Sequence, residues 1–413
     1  VFREGARVGS SSAARYFVLL ILTLTQTGTS LVAQGIGALA PFLAVALSLD
    51  RTHIGMLSAG IAITWAIFGK FSGVIVDRYG ERRMIFLSGL GMGLATLVSA
   101  AFENYWWLFA WFSVYGIMSS FSTPAGGRAI MLWFVRDRAL AMGIRQSGVP
   151  IGGVAGALLL PALAAHGGYR TSLAIAGLLL MGTAALVAFA YARPEGVTVE
   201  KQRFRDLWKQ ARVISRDRRF VVITLTLVIH VCAQMCAVAF LTISLITLAH
   251  LSIPAAVAAL ALFQVGAIAG RFFWGIVSDG ILGGDRMLPT VAACITAFAA
   301  ELTLAQGYPA PTFFVVALLY CAAFFLGFSI AGCNGLFAVA QTEVAGPAFA
   351  ASALGVSTAR VAWATVIAPP VFGALADAHG YSAAWLTLSA LTAAGIVPAL
   401  YARRLIAGSP KAA

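Results

Sequence analysis

Five basic residues stand inside long apolar stretches of this chain: Lys70, Arg128, Arg145, Arg271 and Arg360. A cation at the centre of a membrane-spanning helix costs roughly 2.5–3.5 kcal/mol on insertion scales, so each needs a partner or a purpose. Arg271 stands eight residues before Asp279, roughly 12 Å along a helix at ~1.5 Å per residue. Arg360 stands about ten residues into its own stretch, roughly 15 Å by the same rise. The two are therefore expected at similar depth. No acidic residue is expected there, because Glu103, Glu301, Glu343 and Asp377 fall near the ends of stretches or in loops. The neutralising partner this predicts is an anion from outside the chain, held by guanidinium forks that suit a carboxylate. The competing reading has both arginines bonded to backbone carbonyls, or facing a wet cavity without selecting anything.

Other side chains are placed to complete such a site. Gln264 and Arg271 are seven apart and share a helix face. His230 and Gln234 are four apart, Asn334 lies deep in its stretch, and Trp363 follows Arg360 by three, in reach of stacking on a guanidinium or on a ring-bearing ligand. Each of these also serves as an ordinary interhelical hydrogen-bonding residue. His230 is the only histidine well inside a stretch, which makes it the candidate carrier of a coupled proton, although a packed neutral imidazole is the plainer reading. Lys70, Arg128 and Arg145 lie six or seven residues inside, roughly 9–11 Å deep, where long stems snorkel to a membrane surface or act at a gate. Arg145, followed by Gln146, is as well placed for a central cavity. The five cysteines lie in apolar stretches and cannot all pair, and no metal-ligand spacing or nucleophile with its base is present. Neither cofactor, metal nor enzymatic chemistry is expected.

The elements that position these residues follow from composition. The chain has 413 residues, 60% hydrophobic and only 10% charged, with a mean hydropathy of +0.90. A soluble domain is typically about a quarter charged. This excludes a soluble enzyme, a disordered chain and a nucleic-acid binder, and the net charge of +13 belongs to membrane edges. Spanning a bilayer takes about 20 apolar residues. Twelve such runs are present: about 16–47, 54–76, 84–102, 106–133, 140–164, 171–192, 220–249, 255–277, 287–305, 312–341, 350–375 and 383–402. The alternation of a β-barrel is absent. The first run is too long for a signal-peptide core and is expected to stay in the protein.

Charge sets the expected topology. The segments 1–15, 77–83, 134–139, 193–219, 278–286, 342–349 and 403–413 carry 21 Lys or Arg, and the opposite side carries only Arg51 and Arg170. Both termini are therefore expected in the cytoplasm, in the cell's inner membrane. The polar segment 193–219 divides the runs six and six. It reads as an amphipathic linker on the membrane surface, with Phe204, Leu207 and Trp208 against the bilayer and its basic residues against headgroups. The expected organisation is two six-helix bundles, 1–192 and 220–413, in an all-α polytopic membrane protein.

The two halves echo each other. Gly73 and Asp77 recur as Gly275 and Asp279 at an offset of 202, and Ala-Met-Gly at 141–143 recurs as Ala-Leu-Gly at 353–355 at an offset of 212. Repeated halves with a substrate site between them are a recurring transporter plan. The stretch Gly73-Val-Ile-Val-Asp77-Arg78-Tyr79-Gly80-Glu81-Arg82-Arg83 resembles the signature between the second and third helices of the major facilitator superfamily. The resemblance covers nearly the whole chain. It implies that Gly73 lets helices approach, and that Asp77 caps a helix end and pairs with arginines, including Arg78, Arg82 and Arg83, in a contact that breaks and reforms as the carrier works. Asp279 holds the same place in the weaker second copy.

Three stretches resemble the monocarboxylate transporter and oxalate/formate exchanger branch: Trp133 to Gly148, Gly270-Arg271 to Asp279, and Ala368-Pro369-Pro370 to Tyr381. The likeness implies that Arg271 binds substrate, and Thr358-Ala359-Arg360 is similar to a site where the exchanger uses a lysine. Ala267 stands where proton-coupled members carry an acid, so proton symport and anion exchange both remain open. The expectation is a monomeric carrier of small organic anions that meets lipid, substrate and either protons or a counter-anion. The alternative is a drug or metabolite exporter, which Gly148-Val149-Pro150 partly resembles, although no membrane-embedded acid for lipophilic cations is evident.

Overall fold

A computed structural model describes residues 12–49, 51–192, 194 and 203–407. Both chain ends and the first part of the linker, including Lys201, lie outside the described residues. Every regular element among the described residues is helical. In order they are α1 (Ser12–Leu47), α2 (Arg51–Tyr79), α3 (Glu81–Ser99), α4 (Tyr105–Ser119), α5 (Ser122–Trp133), α6 (Arg138–Ala190) and α7 (Phe204–Ile214). There follow α8 (Arg218–Ala249), α9 (Ile253–Ile276), α10 (Met287–Leu304), α11 (Phe313–Leu326), α12 (Asn334–Ala345), α13 (Ala350–Ala394) and α14 (Ile396–Ala407).

Eight helices among the described residues are long and apolar enough to cross a membrane by length and composition. α6 and α13 run 53 and 45 residues, far beyond a bilayer's thickness. Each turns at one glycine, Gly168 with φ 75° and Gly380 with φ 84°. Side chains disfavour that region of φ, so glycine is where an otherwise helical apolar run reverses. Conversely, α11 and α12 together supply one candidate span, Phe313–Ala345. Five-residue π turns extend α9 over Val277–Ile281 and α11 over Gly327–Ala331.

The chain forms two compact units, the first from residues up to Ser215 together with Ala345–Ala359, the second from Arg216–Val344 and Arg360 onwards. The start of α13 thus packs with the first unit. The core of that unit is built from Leu39, Leu43, Phe112, Tyr115, Leu160 and Leu173, all essentially inaccessible. The core of the second centres on Phe263, Leu319, Leu326 and Trp385.

α7 corrects one expectation. Leu207, Ala211 and Ile214 are buried against the protein, so Leu207 does not face lipid. Trp208 stacks on Phe71 at 5.1 Å and on Phe204 at 6.4 Å. Residues spaced i, i+4 and i+7 form one stripe, and here the stripe covers the α2 end, while Arg205, Lys209 and Arg212 stay exposed.

Candidate functional site

In the second unit, α9 holds Arg271 with only 2% of its surface exposed. Its Nη1 donates to the Ala267 carbonyl one turn earlier at 3.1 Å, and its Nε meets no acceptor. Among the described residues no carboxylate lies in ion-pair reach of it. A guanidinium out of water and without a counter-ion carries a large desolvation cost. Gln264 lies two turns earlier on the same helix, partly exposed.

The other residues expected near Arg271 fall into separate groups. Asn334, the first residue of α12, donates from Nδ2 to Gln234 Oε1 on α8 at 3.0 Å, and its own Oδ1 is buried without a partner. His230 is fixed elsewhere on α8. Its Nδ1 lies 3.0 Å from the Thr226 carbonyl, its Nε2 3.9 Å from Cys294 Sγ, and Phe337 meets the ring edge-on at 4.9 Å. Arg360 is partly buried, with its guanidinium 5.7 Å from the centre of the Phe220 ring. Trp363 is 52% exposed.

In the first unit Arg145 is as deeply buried as Arg271, at 2% exposed. Its Nη2 donates to Gln26 Oε1 of α1 at 2.8 Å and to the Ser122 carbonyl at 2.9 Å, so it joins α1, α5 and α6. Gln26, 8% exposed, was not singled out by sequence; one neutral amide in an apolar run carries no signal of its distant partner.

Asp77 ends up in a different bond set from the one its neighbours suggested. Its side chain is fully buried and accepts from Arg128 Nη1 at 2.5 Å, from the Ser352 N–H at 2.7 Å and from the Ala351 N–H at 3.3 Å. The last two are free N–H groups at the start of α13, where a helix favours negative charge. Arg128 also donates to the Ala348 carbonyl at 3.2 Å and lies 3.5 Å from Glu81. It therefore does not snorkel. Arg82 is used differently, donating to the Ala188 carbonyl at 2.6 Å, while Arg78 lies over the Tyr79 ring at 5.6 Å. Lys70 lies over Phe71 at 5.4 Å. Gly73 makes the approach possible: a Cβ there would stand 2.3 Å from the Ala351 carbonyl oxygen.

The second copy of the motif is also paired. Arg286 bonds Asp279 and donates to Ser278 Oγ at 2.8 Å and to Glu343 at 2.9 Å. Beside it, Arg403 of α14 lies with its Nε 2.6 Å from Asp285 in the loop before α10. Burial alone would raise the Asp285 carboxyl, but Arg403 and the N–H groups of Leu288 and Met287 outweigh it and hold the group below its usual value.

Glu301 lies near the end of its helix as expected, but its carboxyl is buried. It accepts from Thr392 Oγ1 at 3.1 Å. Thr392 lies twelve residues past the Gly380 turn, roughly 18 Å along the helix. The second carboxylate oxygen of Glu301 has no partner.

Comparison with known proteins gives the lineage. The family model described as Major Facilitator Superfamily matches residues 19–362. An uncharacterized MFS-type transporter of Mycobacterium tuberculosis is 26% identical over 384 residues, covering 90% of this chain and 82% of its own. The hexuronate transporter of Bacillus subtilis is 27% identical over 137 residues, 33% of this chain and 32% of its own. Among solved structures, the superfamily transporter FucP in the outward conformation superposes with a TM-score of 0.75 at 16% identity, covering 94% of this chain and 98% of its own. That likeness is one of fold.

Proposed function

We propose that this chain, which belongs to the Major Facilitator Superfamily and is a multi-pass membrane transporter, carries small organic anions, mono- or dicarboxylates foremost. The observation behind this reading is Arg271: a buried cation with a free Nε and, among the described residues, no acidic partner. A carboxylate supplies the missing charge and accepts from two nitrogens at once. Arg360, the residue similar in place to the exchanger's lysine, is the second cation offered to the anion. The likeness to the monocarboxylate and oxalate/formate branch, and the similarity to a carrier named for hexuronate, point the same way.

Alternating access then requires a contact that opens and closes. Asp77 is suited to it, since its carboxylate holds two N–H groups at the start of α13 and Arg128 together. Those bonds must be broken and remade in each cycle, with Gly73 allowing close return. Positive charge on 193–219 and its companion loops favours a cytoplasmic placement of that side in the inner membrane. Coupling is by proton symport or anion exchange. The test is counterflow in proteoliposomes, offering carboxylates against lipophilic cations. Exchange of carboxylates that is lost in Arg271→Gln supports the reading, and exchange of lipophilic cations alone refutes it in favour of an exporter.

A further inference from the structure

In the second unit a bulge on one helix meets an indole on the helix that carries Arg271. In the π turn at Gly327–Ala331 the Gly332 N–H donates to the Gly327 carbonyl, five residues back, at 3.1 Å. The next N–H, of Cys333, donates to the Ser329 carbonyl, four back, at 3.2 Å. This change of register passes over the Phe328 carbonyl between them. A carbonyl within a membrane span finds no donor in lipid and must be satisfied by the protein. Trp274 of α9, 6% exposed, supplies one: its Nε1 donates to the Phe328 oxygen at 2.9 Å, with its ring tilted against the Phe328 ring at 5.4 Å. The same oxygen is where α9 makes its close backbone approach, since a Cβ on Gly270 would stand 2.1 Å from it. Gly270 and Trp274 are four apart, hence on one helix face, and Arg271 lies in the turn between them. Both ends of that turn are seated on one carbonyl. The guanidinium moves with the turn, because its Nη1 is held by the Ala267 carbonyl of the same helix.

We infer that Trp274 is a positioning residue for the anion site: its indole N–H locks α9 onto the bulge carbonyl and so fixes the rotation and depth at which Arg271 presents its guanidinium. This rests on the anion-carrier reading above and deepens it. A hydrogen bond is directional, whereas a bare glycine contact lets one helix slide or turn over the other. A bidentate fork loses most from such a shift, since its two parallel bonds must align together.

The experiment measures the affinity of the purified carrier for lactate, oxalate and succinate in Trp274→Phe, which keeps an aromatic ring and removes the donor. Affinity should fall roughly 3- to 10-fold, the worth of one intramolecular hydrogen bond. In Arg271→Lys, whose single ammonium has no fork to align, the same change should cost less than about 2-fold. Should Trp274→Phe fail to fold, the benzothienyl isostere of tryptophan, with sulfur in place of the N–H, should give the same fall. Unchanged affinity in a folded variant, even with a lowered melting midpoint, makes the bond merely structural and overturns the assignment. An equal fall in the Arg271→Lys background overturns it too, because the effect then does not pass through the fork. Either result leaves the anion reading standing. Wild-type affinity in Arg271→Gln, or binding of none of the three acids by wild type, overturns the anion reading and this assignment with it.

Discussion

The Asp77 contact makes a sharp test because its partners are few and its burial is complete. Asp77→Asn keeps the shape and one acceptor oxygen, enough for one N–H at the start of α13. It removes the charge that holds Arg128 Nη1 at 2.5 Å and that faces the helix N-terminus through Ser352 at 2.7 Å. Breaking a buried pair by neutralising one partner costs ~3–5 kcal/mol when the other charge is stranded. Here Arg128 is not fully stranded, since Glu81 lies 3.5 Å from its Nε and the Ala348 carbonyl 3.2 Å from its Nη1. The expected loss is therefore about 2–3 kcal/mol, near the worth of one charged hydrogen bond. Two readouts check it. The melting midpoint of the detergent-solubilised variant should fall, and a cysteine placed at Ala351, a position buried beside Asp77, should label faster. Arg128→Gln should behave alike, and the double variant should cost clearly less than the two added, because both remove one interaction. Wild-type melting and labelling in Asp77→Asn, or strict additivity, would show that this contact does not hold the start of α13.

The other predictions address separate links. A cysteine probe at Arg170 should react from outside sealed cells and one at Lys201 should not, and the reverse pattern would invert the orientation drawn from the 21-to-2 basic asymmetry. His230→Gln should leave pH-driven uptake unchanged, because the ring is tied to the Thr226 carbonyl and Cys294 rather than to the Gln234–Asn334 pair; abolished uptake in a folded variant would restore it as the coupling residue. The Asp285–Arg403 pair should contribute stability above the ordinary carboxylate range of about 4, lost as pH falls through the lower value that Arg403 sets in the folded state. Asp285→Asn should remove that acid-side slope in thermal unfolding, and an unchanged slope would assign it to another group.

The readings that survived folding and those that did not differ in the kind of information they used. The all-helical character follows from run length, whereas the turns at Gly168 and Gly380 show only in the structure, at a residue type that tolerates a positive φ. Arg128 reads from depth alone as either snorkelling or acting at a gate, because depth along a helix does not tell which way a side chain points. The structure removes only the snorkel. Its true partner is Asp77, 51 residues earlier. Leu207 shows the same limit, since an apolar stripe demands cover without saying whether lipid or protein provides it. Glu301 shows it once more: counting places its backbone near an end, while its carboxyl is bonded to Thr392, 91 residues later. Arg271 differs in kind from these residues. It needs only that no acid come within reach, and a chain with 15 acidic residues, most of them accounted for at helix ends and loops, leaves few to do so whatever the packing. The buried acids among the described residues are bonded elsewhere, Asp77 with Arg128 and Glu301 with Thr392, and not with Arg271. An inference from scarcity thus withstands rearrangement of the helices better than one from position, which is why the unpaired guanidinium carries the functional reading.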